Sequence, residues 1–502
     1  MNRPIRTVSI FCMLLFLALM INVSYLQFWQ AEDLNEDPLN ARVAEAAFSR
    51  ERGDILVGQG QGQVTLARSR EYDDRYKYLR VYPRPVLYSH VTGYLTLTNR
   101  TGIEQSQNSV LSGEDERLFV TRLIDLAQNQ SNQGGNVLLT LDPEAQQAAY
   151  DALLAGIGPD GEGSVVAIEP KTGRILAMVS LPSYDANDLA THDFAAAEQA
   201  YKRLDSDDTD PLVNRAIQTR LFPGSTFKVV TAAAAIEDGL YNSDDNVPSG
   251  ATWQTPGTTG EDNVIDNEGR SLCNPEEVSF AIAMSQSCNT AFAKMAVELG
   301  PEKMREQSEQ FGFNSDYLDD LSPQVQSVYP LSVENADGEQ VELNDAQTAQ
   351  TGFGQFEVQA TPLQMAMVVA ALGNRGALMR PYLVDEVQTA EYETLETTEP
   401  DKIRDAVSPT TADQVTDLMI ETVNNGTAFP AQIPGTSVAG KTGTAQRGVE
   451  GLPPYGWFVS FAPAEDAEVA VAVMIQEAPG KEIAGGQLGG PIAKAVMEAV
   501  LE

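Results

Sequence analysis

Phe222-Pro-Gly-Ser225-Thr-Phe-Lys228 is the stretch on which the reading of this chain turns. Pro223 and Gly224 stop one element, and Ser225 opens a helix predicted to end at Gly239. Residues i and i+3 share a helix face, so Ser225 and Lys228 can meet. A serine near a helix N-terminus gains the positive end of the dipole, which favours a developing oxyanion. It also needs a base. The chain has two histidines, His90 and His192, neither in a recognisable Ser-His-Asp arrangement, and no G-x-S-x-G elbow. Lysine is then the candidate base. Its ordinary pKa is about 10.4, so a neutral amine near pH 7 requires surroundings that disfavour the charge by about 4 kcal/mol. Burial beside a second lysine would do this. Alone, Ser225 and Lys228 read equally well as a helix cap and a solvated lysine.

Two more patterns follow in order, Ser287-Cys-Asn289 and Lys441-Thr-Gly443. S-x-x-K occurs once, about as often as chance allows. S-x-N recurs at Ser106-Gln-Asn108, in a polar stretch, and K-T-G at Lys171-Thr-Gly173. Lys171 sits between two apolar runs at a Pro/Gly turn, which predicts a hairpin tip and a solvated lysine. A rival overlaps the last motif: Gly435 to Thr442 satisfies the phosphate-loop pattern G-x-x-x-x-G-K-[ST]. A phosphate loop needs a helix opening at its end. Here Pro434 precedes it and a Gly- and Pro-containing run follows, with no long amphipathic helix.

The ordered trio S-x-x-K, S-x-N, K-T-G resembles that of the penicillin-recognising serine acyl transferases. Arg52-Gly-Asp-Ile55 and the Gly102-Ile-Glu104 region resemble the N-terminal pedestal of class B penicillin-binding proteins, in a short form like that of the actinobacterial PbpA type. The resemblance implies an α+β fold: a penicillin-binding, serine β-lactamase-like transpeptidase domain with an antiparallel sheet covered by helices. A small N-terminal α+β pedestal and one transmembrane helix complete it. It implies Ser225 as nucleophile, Lys228 as base and Ser287 as proton relay to the leaving group. Asn289 would hold a substrate amide, and Lys441 and Thr442 the substrate carboxylate. Lys441, Thr442, Gly443 and Thr444 would form an edge strand that docks peptide by β-augmentation. Backbone N–H groups of Ser225 and Thr444 would form the oxyanion hole. Gly352-Phe-Gly-Gln355 and Ala360 to Ala366 would be framework rather than catalytic parts.

The function implied is a peptidoglycan D,D-transpeptidase. It cross-links stem peptides of lipid-linked glycan strands through an acyl-enzyme on Ser225, and β-lactams acylate the same serine. No cofactor is implied, and no Cys/His cluster has metal-ligand spacing. Residues 32–155 are short for a glycosyltransferase domain, so a polytopic membrane glycosyltransferase is the implied partner. Two alternatives share the motifs or the fold. One is a D,D-carboxypeptidase, β-lactamase or penicillin sensor; the other is a catalytically silent assembly scaffold.

The flanking chain supports an exported protein. Thr7 to Ala31 carries no charge around the core Ile10-Phe-Cys-Met-Leu-Leu-Phe-Leu-Ala-Leu-Met-Ile21. A bilayer needs about 20 mostly apolar residues. Arg3 and Arg6 precede it, and Glu32, Asp33, Glu36 and Asp37 follow. The expectation is a bacterial single-pass membrane protein with its N-terminus cytoplasmic and its catalytic domain outside. Residues 1–6 are then a cytoplasmic tail, 7–31 the anchor in the bilayer, 32–155 the dimerisation-like pedestal and 156–502 the transpeptidase domain. A net charge of −38 excludes nucleic acid as partner. Of three cysteines, Cys12 lies in the anchor; Cys273 and Cys288 are 15 apart. A bridge between them and two buried free thiols both remain open.

Outside the motifs, Asn35–Glu51 reads as helical and Ser131–Gly135 as a loop. Val137–Asp142 reads as a strand, followed by a helix from Pro143 capped by Asp142. Gly456–Ala462 and Ala467–Ile475 read as apolar strands, and Pro491–Leu501 as a terminal helix.

Overall fold

Apolar runs about 300 residues apart in the chain pair with one another. Strand Val469–Glu477 runs antiparallel to Glu162–Ile168, with Val473 opposite Val165. It is the centre of a five-stranded antiparallel sheet. The order is Ala439–Ala445, Tyr455–Ala462, Val469–Glu477, Glu162–Ile168, Ile175–Leu181. This is a computed structural model, and it describes residues 2–30, 34, 48–58, 62–97, 99–119, 133–260, 263–330, 332–334, 338–449 and 451–502. Residues 35–47 of the expected Asn35–Glu51 helix, acidic positions 32, 33, 36 and 37, and residues 131–132 of the expected loop lie outside the described residues.

Successive strand residues point to opposite faces, and here both faces are covered. Val469, Val471, Val473 and Ile475 face a core shared with the Pro143–Ile157 and Gly490–Leu501 helices. Ala470, Ala472 and Met474 face the other core, which holds the Pro362–Gly373 helix. That helix is buried from Pro362 to Leu372, and its one polar side chain, Gln364, donates to the Phe311 carbonyl at 2.7 Å. Asp142 caps the Pro143–Ile157 helix, accepting from the Glu144 and Ala145 amides at 2.9 and 2.8 Å. The 165–180 segment folds as the expected hairpin. Lys171 lies at its tip, in an exposed ion pair with Asp466.

A second sheet has six strands: Thr394–Thr397, Val384–Gln388, Asn136–Leu139, Ile55–Val57, Val64–Glu71 and Tyr78–Val81. Its first two strands come from the C-terminal half, and Val387 pairs with Val137. The two halves of the chain therefore share main-chain hydrogen bonds. The sequence boundary at 155/156 falls within the Pro143–Ile157 helix, which packs on the five-stranded sheet.

Beneath the six-stranded sheet lies a buried ion cluster. Glu104 accepts from Arg52 Nε and Arg80 Nε, each at 2.6 Å, and from Tyr82 Oη at 3.2 Å. Arg80 also donates to the Gly53 carbonyl at 2.7 Å, and Arg52 to Asn108 Oδ1 at 2.9 Å. Burial alone would raise the Glu104 pKa, but the two guanidiniums override it and hold the carboxyl below its ordinary value. The second S-x-N copy is thereby accounted for: Asn108 serves this cluster. Helix Asn2–Phe28 stands apart, and its Ile5–Phe28 part is long and apolar enough to cross a membrane.

Glu104→Ala leaves two buried guanidiniums without their carboxylate. It is expected to lower unfolding stability by about 3–5 kcal/mol, read from denaturant midpoints of parent and variant.

Candidate active site

The Ser225 turn is seated on glycine backbone. Gly224 has φ +53°, and a Cβ there would lie 3.0 Å from Ala445 Cβ. Its amide donates to the Gly354 carbonyl at 3.0 Å. Gly354 (φ +72°) sits so close that a Cβ would come 2.2 Å from the Gly224 carbonyl oxygen. The Gly352–Gln355 segment is thus a seat for the turn, as the framework expectation had it.

Gly224–Phe227 forms a 3-10 turn, and the α-helix proper runs Lys228–Glu237. The expected helix from Ser225 to Gly239 is corrected in this respect: Ser225 precedes the first α-helical residue. Residues i and i+3 still lie one above the other in a 3-10 turn, but the hydrogen bonds of Lys228 Nζ go to Ser287 and Asn289. Phe227 anchors the turn, stacked with Tyr329 and edge-on to Phe313. Ser225 is half-buried, while Lys228 is fully buried.

Ser287 lies between helix Phe280–Ser285 and helix Asn289–Leu299, in the left-handed region at φ +59°. A non-glycine residue there is strained and is tolerated where its surroundings hold it. Its hydroxyl oxygen accepts from Lys228 Nζ at 3.1 Å and from Lys441 Nζ at 3.0 Å. Lys228 also donates to the Ser287 carbonyl at 2.8 Å and to Asn289 Oδ1 at 2.7 Å. Asn289 Nδ2 donates to the Asp266 carbonyl at 3.1 Å. Both ends of the Asn289 amide are thus engaged, and neither Ser287 nor Asn289 caps the helix: the cap position is Cys288, with no side-chain cap bond. Cys273 and Cys288 are joined by a disulfide.

Lys441 to Thr444 lie in strand Ala439–Ala445, at the edge of the five-stranded sheet. The next regular element is another strand, Tyr455–Ala462, so the phosphate-loop geometry is absent. A Cβ at Gly443 would come within 2.8 Å of the Pro223 carbonyl oxygen, so glycine lets this edge approach the Ser225 turn. Lys441 is fully buried, and Thr444 is half-buried. Thr442 Oγ1 lies 2.7 Å from Thr427 Oγ1.

Burial, then Lys441, then Arg270 push the Lys228 pKa well below the ordinary lysine value. Burial and Arg270 do the same to Lys441. The histidines stay away from this centre. His90 is half-buried, its Nε2 2.9 Å from the Pro211 carbonyl oxygen, and its pKa is lowered to about 4 chiefly by desolvation. His192 Nδ1 lies 2.5 Å from Asp74.

Sequence reasoning missed Arg270, whose Nη1 donates to the Ser287 carbonyl at 3.0 Å, and Thr427. Neither belongs to a motif. No local pattern signals either contact.

Two buried lysines meet on the Ser287 hydroxyl, one of them three residues after Ser225 and the other on an edge strand; this is the arrangement of the S-x-x-K, S-x-N and K-T-G motifs in penicillin-recognising serine acyl transferases. The family model "Penicillin binding protein transpeptidase domain" matches residues 163–498, and "Penicillin binding protein A dimerisation domain" matches residues 52–137. Peptidoglycan D,D-transpeptidase PbpA of Mycolicibacterium smegmatis is 41% identical over 100% of this chain and 99% of its own length. Its Mycobacterium tuberculosis counterpart is 38% identical, with the same coverage. The ceftriaxone acyl-enzyme of M. tuberculosis penicillin-binding protein A superposes with TM-score 0.82 at 36% identity, covering 91% of this chain and 100% of that one. The chain belongs to the penicillin-binding protein transpeptidase family.

The lowered Lys228 pKa has a stability consequence. Below the ordinary value of 10.5 the unfolded chain takes up a proton at Lys228, whereas the folded chain does so only at lower pH. The unfolded state then binds more protons, and this group costs the fold stability as pH falls through that window. Lys228→Met is expected to be more stable than the parent at pH 7. The advantage should vanish above the unfolded lysine pKa, as read from denaturant midpoints at both pH values.

Proposed function

We propose that Ser225 carries the acyl group in a peptidoglycan D,D-transpeptidase reaction. The observation that supports this most is the chain of contacts from Lys441 through the Ser287 hydroxyl to Lys228, three residues after Ser225. Neutral Lys228 takes the Ser225 proton as Oγ attacks the penultimate D-Ala carbonyl of a stem peptide. A neutral amine has two donors and one lone pair. Lys228 therefore gives up one of its three contacts, and its lone pair becomes the acceptor. When the terminal D-Ala leaves, Ser287 passes the proton to its amine and is itself resupplied from the lysine side. An amine on a neighbouring stem then takes the acyl group from Ser225. A β-lactam enters by the same attack but stays bound to the serine.

The Ser225 and Thr444 amides supply the oxyanion hole, each such donor being worth about 3–4 kcal/mol. Peptide substrate adds to the exposed edge of Lys441–Thr444, with Lys441 and Thr442 on its carboxylate. Asn289 orients Lys228, and a substrate amide would have to take over one of its internal bonds. The Cys273–Cys288 bridge ties this turn to the preceding loop.

For placement, residues 7–31 cross the bilayer with Arg3 and Arg6 on the cytoplasmic side. Residues 32–155 act as pedestal and 156–502 as the transpeptidase unit, coupled through the shared six-stranded sheet. A polytopic membrane glycosyltransferase would supply the glycan strands, since residues 32–155 are short for such a domain.

Incubation with a stem-peptide thioester analogue and an amine acceptor is expected to give the aminolysis product. Ser225→Ala should lose it by about 10⁴-fold or more. Hydrolysis alone, unaffected by acceptor, would instead identify a carboxypeptidase; rapid hydrolysis of penicillin would identify a β-lactamase.

A further inference from the structure

The Ser287 carbonyl oxygen accepts from two basic side chains: Lys228 Nζ at 2.8 Å and Arg270 Nη1 at 3.0 Å. Arg270 follows a short hairpin of strands Thr252–Gln254 and Val264–Asp266. Its Nη2 donates to Glu268 Oε2 at 2.6 Å, and its side chain is 27% exposed. The arm carrying it is fastened to the Ser287 turn at further points. The Asp266 carbonyl accepts from Asn289 Nδ2 at 3.1 Å. Asn267 Oδ1 accepts from the Thr290 amide at 3.1 Å and from Thr290 Oγ1 at 3.2 Å. Cys273 is bonded to Cys288. Arg270 is therefore held against the strained residue whose hydroxyl bridges the two lysines.

We propose that Arg270 is a positioning residue for acylation: it clamps the Ser287 carbonyl in its left-handed turn and fixes a permanent positive charge beside the two lysines, tempered by Glu268. The proposal rests on the reading of Lys228 as base. A guanidinium keeps its proton at any working pH, so its influence does not titrate away. A like charge favours a neutral amine, and an opposite charge favours an ammonium. The charges acting on Lys228 are Lys441 from the edge strand and Arg270 and Glu268 from the hairpin arm. Arg270 and Glu268 pull in opposite directions. A residue with a merely structural role would not reproduce that opposition.

The test is the rate of benzylpenicillin acylation of the full chain in detergent, followed from about pH 5 to about pH 9. Parent, R270Q, R270K and E268Q are compared, with Ser225→Ala as the reference for the nucleophile. R270Q is expected to lower the rate at pH 7 by about tenfold and to move the acidic limb of the profile to higher pH. R270K keeps the charge, so its limb should stay near that of the parent. E268Q should move the limb to lower pH. A limb unmoved in R270Q, or displaced in the same direction by R270Q and E268Q, overturns the proposal. If R270Q does not fold, the E268Q displacement decides by its sign alone: downward supports the proposal, and unmoved or upward overturns it. A parent that forms no Ser225-dependent adduct would instead overturn the underlying assignment of nucleophile and base.

Discussion

Two lysine amines buried on one serine hydroxyl are the constraint around which this structure is built. Lys228 and Lys441 are fully buried, and both reach Ser287 Oγ. Burying two ammonium groups side by side is unfavourable, and it lowers the pKa of both amines. Three separate elements bring them together. A helix carries Lys228, an edge strand carries Lys441, and a strained turn carries Ser287. The first two are fixed by close backbone approach, Gly224 against Gly354 and Gly443 against Pro223, and the Ser287 turn by its disulfide and by Arg270. On the proposed mechanism, the cost in stability is the counterpart of a base that works near neutral pH.

The sheets explain why such a centre stays in place. Lys441 lies on a strand whose neighbour, Tyr455–Ala462, is buried on both faces, so the edge cannot tilt without disturbing two cores. Among the described residues the same strand has a strand partner on one side only. Further away, Val384–Gln388 and Thr394–Thr397 complete the sheet begun by the N-terminal region. This joins the chain near the membrane segment to the catalytic half by main-chain bonds.

Much of this was legible in the sequence. The three motifs, the hairpin carrying Lys171 and the terminal strands and helix follow from local pattern, and the edge strand of Lys441 from the family resemblance. Asp142 before Pro143 announced its helix for the same reason. What escaped depends on distant chain segments. The short 3-10 turn at Ser225 arises from close packing against Gly354 and Ala445, which no local propensity encodes. The left-handed Ser287 is a non-glycine exception imposed by its surroundings. Arg270 and Thr427 act through backbone and hydroxyl contacts 17 and 15 residues away. The sharing of a sheet between the two halves joins positions more than 200 apart, such as Val137 and Val387.

The central claim is that Lys228 is a neutral amine near physiological pH. A direct measurement is the NMR titration of lysine side chains labelled at Cε, with the Lys228 signal assigned by its loss in Lys228→Met. This account predicts a Lys228 midpoint well below the ordinary 10.5. A midpoint at or above that value would contradict it, because the lysine would then be a fixed cation and could not accept the serine proton.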